Sequence, residues 1–194
     1  MNDLYDLDKD QLLAALLPYR KLRPRPPLSD IEPVGPGEES VWAYPRPPVV
    51  QSITATLRIV HGGVTIAETA RAKRVVETSG APVYYFPPDD VADGYLTPTD
   101  EKSACEWKGL ATYFDLTVAG DTVASAAFCY PEPFDDLGMG YAEAAGWIAF
   151  YANRVDEAWV GNERARPQPG GFYAGWVTDA IKGPVKGEPG SEGW

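Results

Sequence analysis

The chain has 194 residues, 44% of them hydrophobic, enough for one domain with an ordinary buried core plus extensions. Its 17 basic and 28 acidic residues give a net charge of -11, which disfavours nonspecific attraction to nucleic acid or to an anionic membrane surface. The start, Met1-Asn2-Asp3-Leu4-Tyr5-Asp6, is acidic where a secretory signal carries positive charge, and no apolar run approaches the about 20 residues that span a bilayer, so a cytoplasmic protein is expected, with neither nucleic acid nor membrane as partner.

Leu12, Leu13, Leu16 and Leu17 recur at helical spacing within residues 7–19, with Asp8 and Asp10 where the helix dipole favours negative charge and Pro18 near the end. A short amphipathic helix is predicted there. Residues 21–48 are rich in proline, from Pro24 to Pro48, and should run extended along a surface, anchored by Trp42 and Tyr44. Residues 53–60 alternate Ile53, Ala55, Leu57 and Ile59 against Thr54, Thr56 and Arg58; with His61-Gly62-Gly63 and residues 64–69 they read as a hairpin. Two further strands, 73–78 and 83–86, flank a Ser79-Gly80-Ala81-Pro82 turn. Residues 89–108 read as a long connection with little regular structure, which in a compact domain is a functional feature or a mobile one.

A second hairpin follows, 110–118 and 122–130 around Ala119-Gly120-Asp121, with the Gly-Asp step suited to positive φ. One helical turn is expected at 141–145, and a last strand pair, 147–151 with 155–160, around Ala152-Asn153-Arg154. Residues 162–194 are rich in glycine and proline yet carry Phe172, Tyr173, Trp176 and Trp194, more aromatic area than a solvated tail holds. The tail should pack on its own domain or on a second copy, so a homo-oligomer is one arrangement to test. The pattern as a whole is mainly β.

Several ordered motifs carry a resemblance. R-A-x-R-V-x-E-T (Arg71 to Thr78), P-x-Y-Y-x-P (Pro82 to Pro87), L-x-P-T-D (Leu96 to Asp100), C-x-W-K-G-x-A-x-Y (Cys105 to Tyr113), A-F-C-Y-P-x-P (Ala127 to Pro133) and A-F-Y-x-x-R-V-D (Ala149 to Asp156) together resemble a bacterial family, domain of unknown function 427. The arm and tail look like those of its longer, actinobacterial-type members. Where such members often carry a histidine ahead of A-F-Y, this chain has Trp147. The resemblance implies a β-tent-like fold of two small antiparallel sheets packed at an angle, with an N-terminal helix and extended N- and C-terminal arms. On that basis the chain divides into a helix and proline-rich arm (1–48), the β domain (49–160) and the aromatic tail (161–194). The nucleotidyltransferase label attached to the family finds no support in the sequence, which lacks a P-loop and an acidic pair after a Gly-Ser turn.

Cys105 and Cys129 are the only cysteines, expected as free thiols in a reducing compartment. With His61 they supply three soft ligands in no metal-binding spacing, so neither metal nor cofactor is expected. The aspartates at 89, 90, 93 and 100 do not follow a calcium-loop register and read as turn and capping residues. The sharpest chemical pair is Cys105 with Lys108, because a nearby ammonium favours the nucleophilic thiolate; buried-core cysteine is the competing reading, and His61, at a hairpin tip, is a poor partner base. Cys129, alternating with Phe128 and Tyr130, reads as a small core residue.

Arg74 and Glu77 stand at an odd offset and should face opposite sides of their strand. Tyr84 and Tyr85 must do the same, one for the core and one for a ligand. The expected function is therefore a small-molecule binding β domain with a pocket between its sheets lined by Arg74, Glu77, Tyr84 or Tyr85, Cys105, Trp107 and Lys108. The alternatives are an enzyme using Cys105 as nucleophile or redox thiol, with Lys108 and Glu77 as further catalytic candidates, and an assembly module acting through the aromatic tail.

Overall fold

The capping aspartate at residue 8 and the leucine spacing behind it give the one α-helix, α1 (Lys9–Leu16), in a computed structural model that describes residues 4–21, 25–191 and 193–194. The first three residues of the acidic start and Pro24 of the arm lie outside the described residues. Asp8 accepts from the Gln11 amide at 2.9 Å while the Gln11 side chain accepts from the Asp8 amide at 3.2 Å, so two otherwise orphaned donors are satisfied reciprocally. Leu12 and Leu16 then bury against Phe134. Among the described residues no helix is long and apolar enough to cross a membrane.

The strands in chain order are β1 (Glu39–Ser40), β2 (Val49–Ser52), β3 (Leu57–His61), β4 (Val64–Thr69), β5 (Lys73–Val76), β6 (Val83–Phe86), β7 (Leu96–Cys105), β8 (Gly109–Val118), β9 (Asp121–Cys129), β10 (Ile148–Phe150), β11 (Glu157–Val160), β12 (Glu163–Arg164), β13 (Arg166–Pro167), β14 (Trp176–Val177) and β15 (Ile181–Lys182). Seven of them form an antiparallel sheet in the order β2-β5-β6-β10-β9-β8-β7, and four form a second, β12-β11-β3-β4. β13 pairs with β14, and β1 pairs in parallel with β15. The architecture is mainly β with open sheets, but the sheets are unequal: seven and four strands stand where two small ones were expected.

Leu57, Ile59 and Ile66 of the smaller sheet join Phe86, Leu116 and Phe150 of the larger in one apolar cluster, and all six are fully buried. Each such side chain contributes about 1.5–3 kcal/mol by leaving water. The space between the sheets is therefore solid hydrocarbon.

Three local expectations need correction. Half of the connection at 89–108 is strand β7, which reads as loop because it is an edge strand: Pro98 and the charged Asp100, Glu101 and Lys102 are tolerated where one side of the ladder faces water, and a bulge between Pro98 and Lys102 breaks the alternation. Residues 148–150 and 157–160 do not pair with each other; β10 sits between β6 and β9 in the large sheet, whereas β11 joins β3 in the small one. The Ala119–Gly120 step, with φ of 52° and 90°, makes the second hairpin turn, one residue before the Gly-Asp step, and Asp121 already pairs with Val118.

The arm and tail fold back onto the large sheet together. Trp42 and Tyr44 bury with Val41, Val76 and Ile181, and the Trp42 indole donates to the Pro184 carbonyl at 2.9 Å. Glu39 takes a two-pronged ion pair from Arg74, both oxygen contacts at 2.8 Å. The Arg74 hydrogen bonds hold the Glu39 carboxyl below its ordinary value despite partial burial. A carboxylate whose folded pKa is depressed binds fewer protons folded than unfolded, so its stabilisation is complete above the unfolded value of 4.5 and is lost as pH falls through the folded one. Denaturant titrations of wild type and Glu39→Gln should differ clearly at neutral pH and draw together as pH falls below 4.5 and through the depressed folded value.

Candidate functional site

The pleat of β6 sends Tyr84 and Phe86 to one face of the large sheet and Val83 and Tyr85 to the other. The first pair joins the core between the sheets, where Tyr84 lies 5.1 Å from the Trp176 ring. The second shares its face with Val75, Phe128, Ala149 and Tyr151. The four-stranded sheet does not cover that face; the arm and tail do, and they leave a cavity of about 340 Å³. It lies on the far side of the large sheet from the core, not between the sheets.

Phe128 is the centre of its apolar wall. Tyr151 stands 5.4 Å from that ring, Tyr113 and Tyr130 each 6.0 Å, and Tyr85 6.3 Å, edge-on. The end of β7 and the tight turn into β8 bring Cys105, Glu106, Trp107 and Lys108 to the same cavity. Gly109 makes the turn possible with φ of 96°, and a Cβ there would lie 3.5 Å from the Phe134 ring. Arg20, just past the helix, fixes this segment from behind: its Nε donates to the Glu106 carbonyl at 2.6 Å, its guanidinium lies 5.4 Å over Trp107, and Nη1 pairs with Asp136 at 2.5 Å.

The charges come from four parts of the chain. Glu77, just beyond β5, faces Arg46 of the arm at 3.1 Å and Lys186 of the tail at 3.7 Å, and Arg46 also reaches Glu106 at 3.7 Å. Burial pushes Lys186 below the ordinary lysine value, and Glu77 only partly offsets it. Burial works against the Lys108 ammonium, while Cys105, Tyr130, Tyr85 and Glu77 around it act in the opposite direction and raise its pKa above the ordinary lysine value. The Lys108 ammonium makes no hydrogen bond or ion pair with a described residue; its Nζ lies 5.4 Å over the Tyr130 ring. Trp107 Nε1 and Arg46 Nε are likewise buried without a hydrogen-bond partner among the described residues. Burial raises the Tyr130 phenol well above its ordinary value and the Tyr85 phenol to about 12, so both are neutral donors.

Five of the seven expected residues thus border one cavity: Glu77, Tyr85, Cys105, Trp107 and Lys108. Arg74 and Tyr84 lie elsewhere. Arg74 is engaged by Glu39 and Gln51, and Tyr84 is 3% exposed in the core. The Glu77 partner is Arg46 with Lys186 rather than Lys108. Cys129 is buried beside Thr112, its thiol raised by burial, while Cys105 is partly accessible and donates toward Glu106 Oε2 at 4.0 Å. Among the described residues no three His, Cys, Asp or Glu side chains come together in a way that could hold a metal ion.

Sequence reasoning missed Arg46, Glu106, Gln168 and Lys186 as cavity residues. Gln168 accepts from the Ala81 amide at 2.9 Å and donates to the Lys186 carbonyl at 3.0 Å, pinning the tail above the Ser79–Ala81 turn. Only the aromatic content of the arm and tail signalled that they pack at all. Nothing periodic in either says where.

A search of curated proteins finds no match to the chain. The model of the family described as domain of unknown function DUF427 matches residues 49–161, more than half of the 194 residues and the whole of the seven-stranded sheet. That span carries the Tyr-Tyr strand and the Cys105 to Gly109 turn, and the chain belongs to the DUF427 family.

Proposed function

We propose that the chain is a small-molecule binding β domain whose ligand occupies the cavity between the Phe128 wall and the Cys105 to Lys108 turn. One observation carries the reading: Lys108, whose Nζ makes no hydrogen bond or ion pair with a described residue, lines an aromatic-walled space of about 340 Å³. Buried donors are normally satisfied, because an unsatisfied one costs about 1–3 kcal/mol, so a ligand or ordered water in the cavity completes the Lys108 ammonium. A concave, mostly aromatic cleft with a few convergent polar groups is the usual form of a small-molecule site. In this reading the β domain supplies the floor, and the arm and tail supply the rim.

The second reading, an enzyme that uses Cys105, is favoured by the thiol opening into the same cavity as the Lys108 ammonium. One experiment addresses both. Iodoacetamide at neutral pH should label Cys105 and spare the buried Cys129, and single-ring fragments that enter the cavity should slow that labelling in proportion to their occupancy. Protection by no fragment at millimolar concentration argues against the binding reading. Labelling of Cys105 no faster than that of a small free thiol argues against an activated nucleophile. The tail offers little for an assembly role, since Trp176 and Trp194 pack on their own domain and Phe172 is its one strongly exposed large aromatic among the described residues.

A further inference from the structure

We infer that the ligand of this cavity is a small aromatic monocarboxylate, its ring against Phe128 and its carboxylate on Lys108. The inference rests on the binding reading above and goes beyond it by fixing the ligand's charge and class.

Three observations converge. The first is the sign of what is unsatisfied. Lys108 Nζ is a donor with no hydrogen bond or ion pair to a described residue, whereas the cavity carboxylates Glu77 and Glu106 already face Arg46 and Lys186. A ligand that completes the site must bring acceptors. The second is charge. Among the described residues lining the cavity, Arg46, Lys108 and Lys186 stand against Glu77 and Glu106, a surplus of one positive charge in a chain whose net charge is -11. Arg46 and Lys186 face carboxylates, so one negative charge on the ligand pairs the remaining described cation, Lys108, and a dianion would exceed it.

The third is shape. Tyr85, Tyr113, Tyr130 and Tyr151 surround Phe128 with ring centroids 5.4–6.3 Å from it, a wall suited to the face or edge of one more ring. The volume of about 340 Å³ is at the lower end of small-molecule sites, room for one or two rings. Discrimination follows from the same groups. A neutral ring of equal size would leave the Lys108 ammonium desolvated and unpaired, a penalty that selects against it more strongly than ring contacts select for it.

Benzoate, benzamide and phenyl phosphate, titrated separately into the full-length protein by calorimetry, test the inference. Benzoate is expected to bind at least about tenfold more tightly than benzamide, the scale of a charge-assisted hydrogen bond. Lys108→Met, which keeps the length and apolar stem of the side chain, should remove the preference; Lys108→Arg should restore most of it, which guards against a folding defect in the first variant. Equal affinity for benzoate and benzamide overturns the charge assignment while leaving the cavity reading intact. Tighter binding of phenyl phosphate than of benzoate overturns the monoanion class. If none of the three binds or protects Cys105 from iodoacetamide, the cavity reading falls and the inference with it.

Discussion

Trp176→Ala is expected to lower the unfolding free energy by about 3–5 kcal/mol, the cost of emptying a large aromatic site that cannot collapse. Trp176 belongs to the tail, yet it has no exposed surface. Its ring lies 5.1 Å from Tyr84 and 6.1 Å from Phe86, its indole donates to the Phe150 carbonyl at 2.9 Å, and its backbone amide donates to Pro82 at 2.9 Å. Truncation therefore removes ring packing and orphans a buried carbonyl in the same step. Trp176→Phe should fall in between, since it keeps a ring and loses the donor. Equilibrium denaturation in guanidinium reads both. A loss below about 1 kcal/mol for the alanine variant would mean that the tail is an accessory to the β domain rather than part of its core.

Glu77→Gln should cost about 3 kcal/mol at neutral pH, because it leaves Arg46 and Lys186, each with a side chain about one-tenth exposed, without their shared carboxylate. The deficit should also depend on pH in a defined direction. The folded-state pKa of Lys186 lies below its unfolded value of 10.5, so between the two the unfolded chain binds more protons and stability from this group rises with pH. Removing Glu77 lowers the folded value further and starts that rise earlier. Wild type and variant should accordingly draw closer as pH climbs from 7 toward the unfolded value of 10.5, because Lys186 loses its charge earlier in the folded chain and then has less need of the carboxylate. A deficit that stays constant over this range would show that Glu77 acts by packing or hydrogen bonding and not by compensating buried charge.

Period-2 alternation over Leu57 to Ile59 and the two glycine-containing turns were enough to place β3, β4, β8 and β9, because those hairpins are local and their turn chemistry is explicit. The fate of Tyr84 and Tyr85 was legible only as parity. Opposite faces are fixed by the pleat, but which face is sealed depends on where the four-stranded sheet docks, and no residue in 83–86 encodes that. β7 was hidden because an edge strand carries proline and charge by design against edge-to-edge pairing. The partners of β10 and β11 were hidden for a different reason: adjacent strands in sequence are the natural pairing guess, and here the chain crosses from one sheet to the other between residues 151 and 156. At the candidate site, the motif-bearing residues came from within the β domain, while Arg46 and Lys186 came from segments with no periodicity and could be found only in three dimensions.

The parallel pairing of Glu39–Ser40 with Ile181–Lys182 has a consequence for biogenesis. A chain leaving the ribosome can assemble both sheets once residue 164 is out, yet the arm has no strand to join until nearly twenty residues more have emerged. Through that interval Trp42 and the unfinished rim stand open to chaperones and proteases, and the rim closes only once residues 181–186 have emerged.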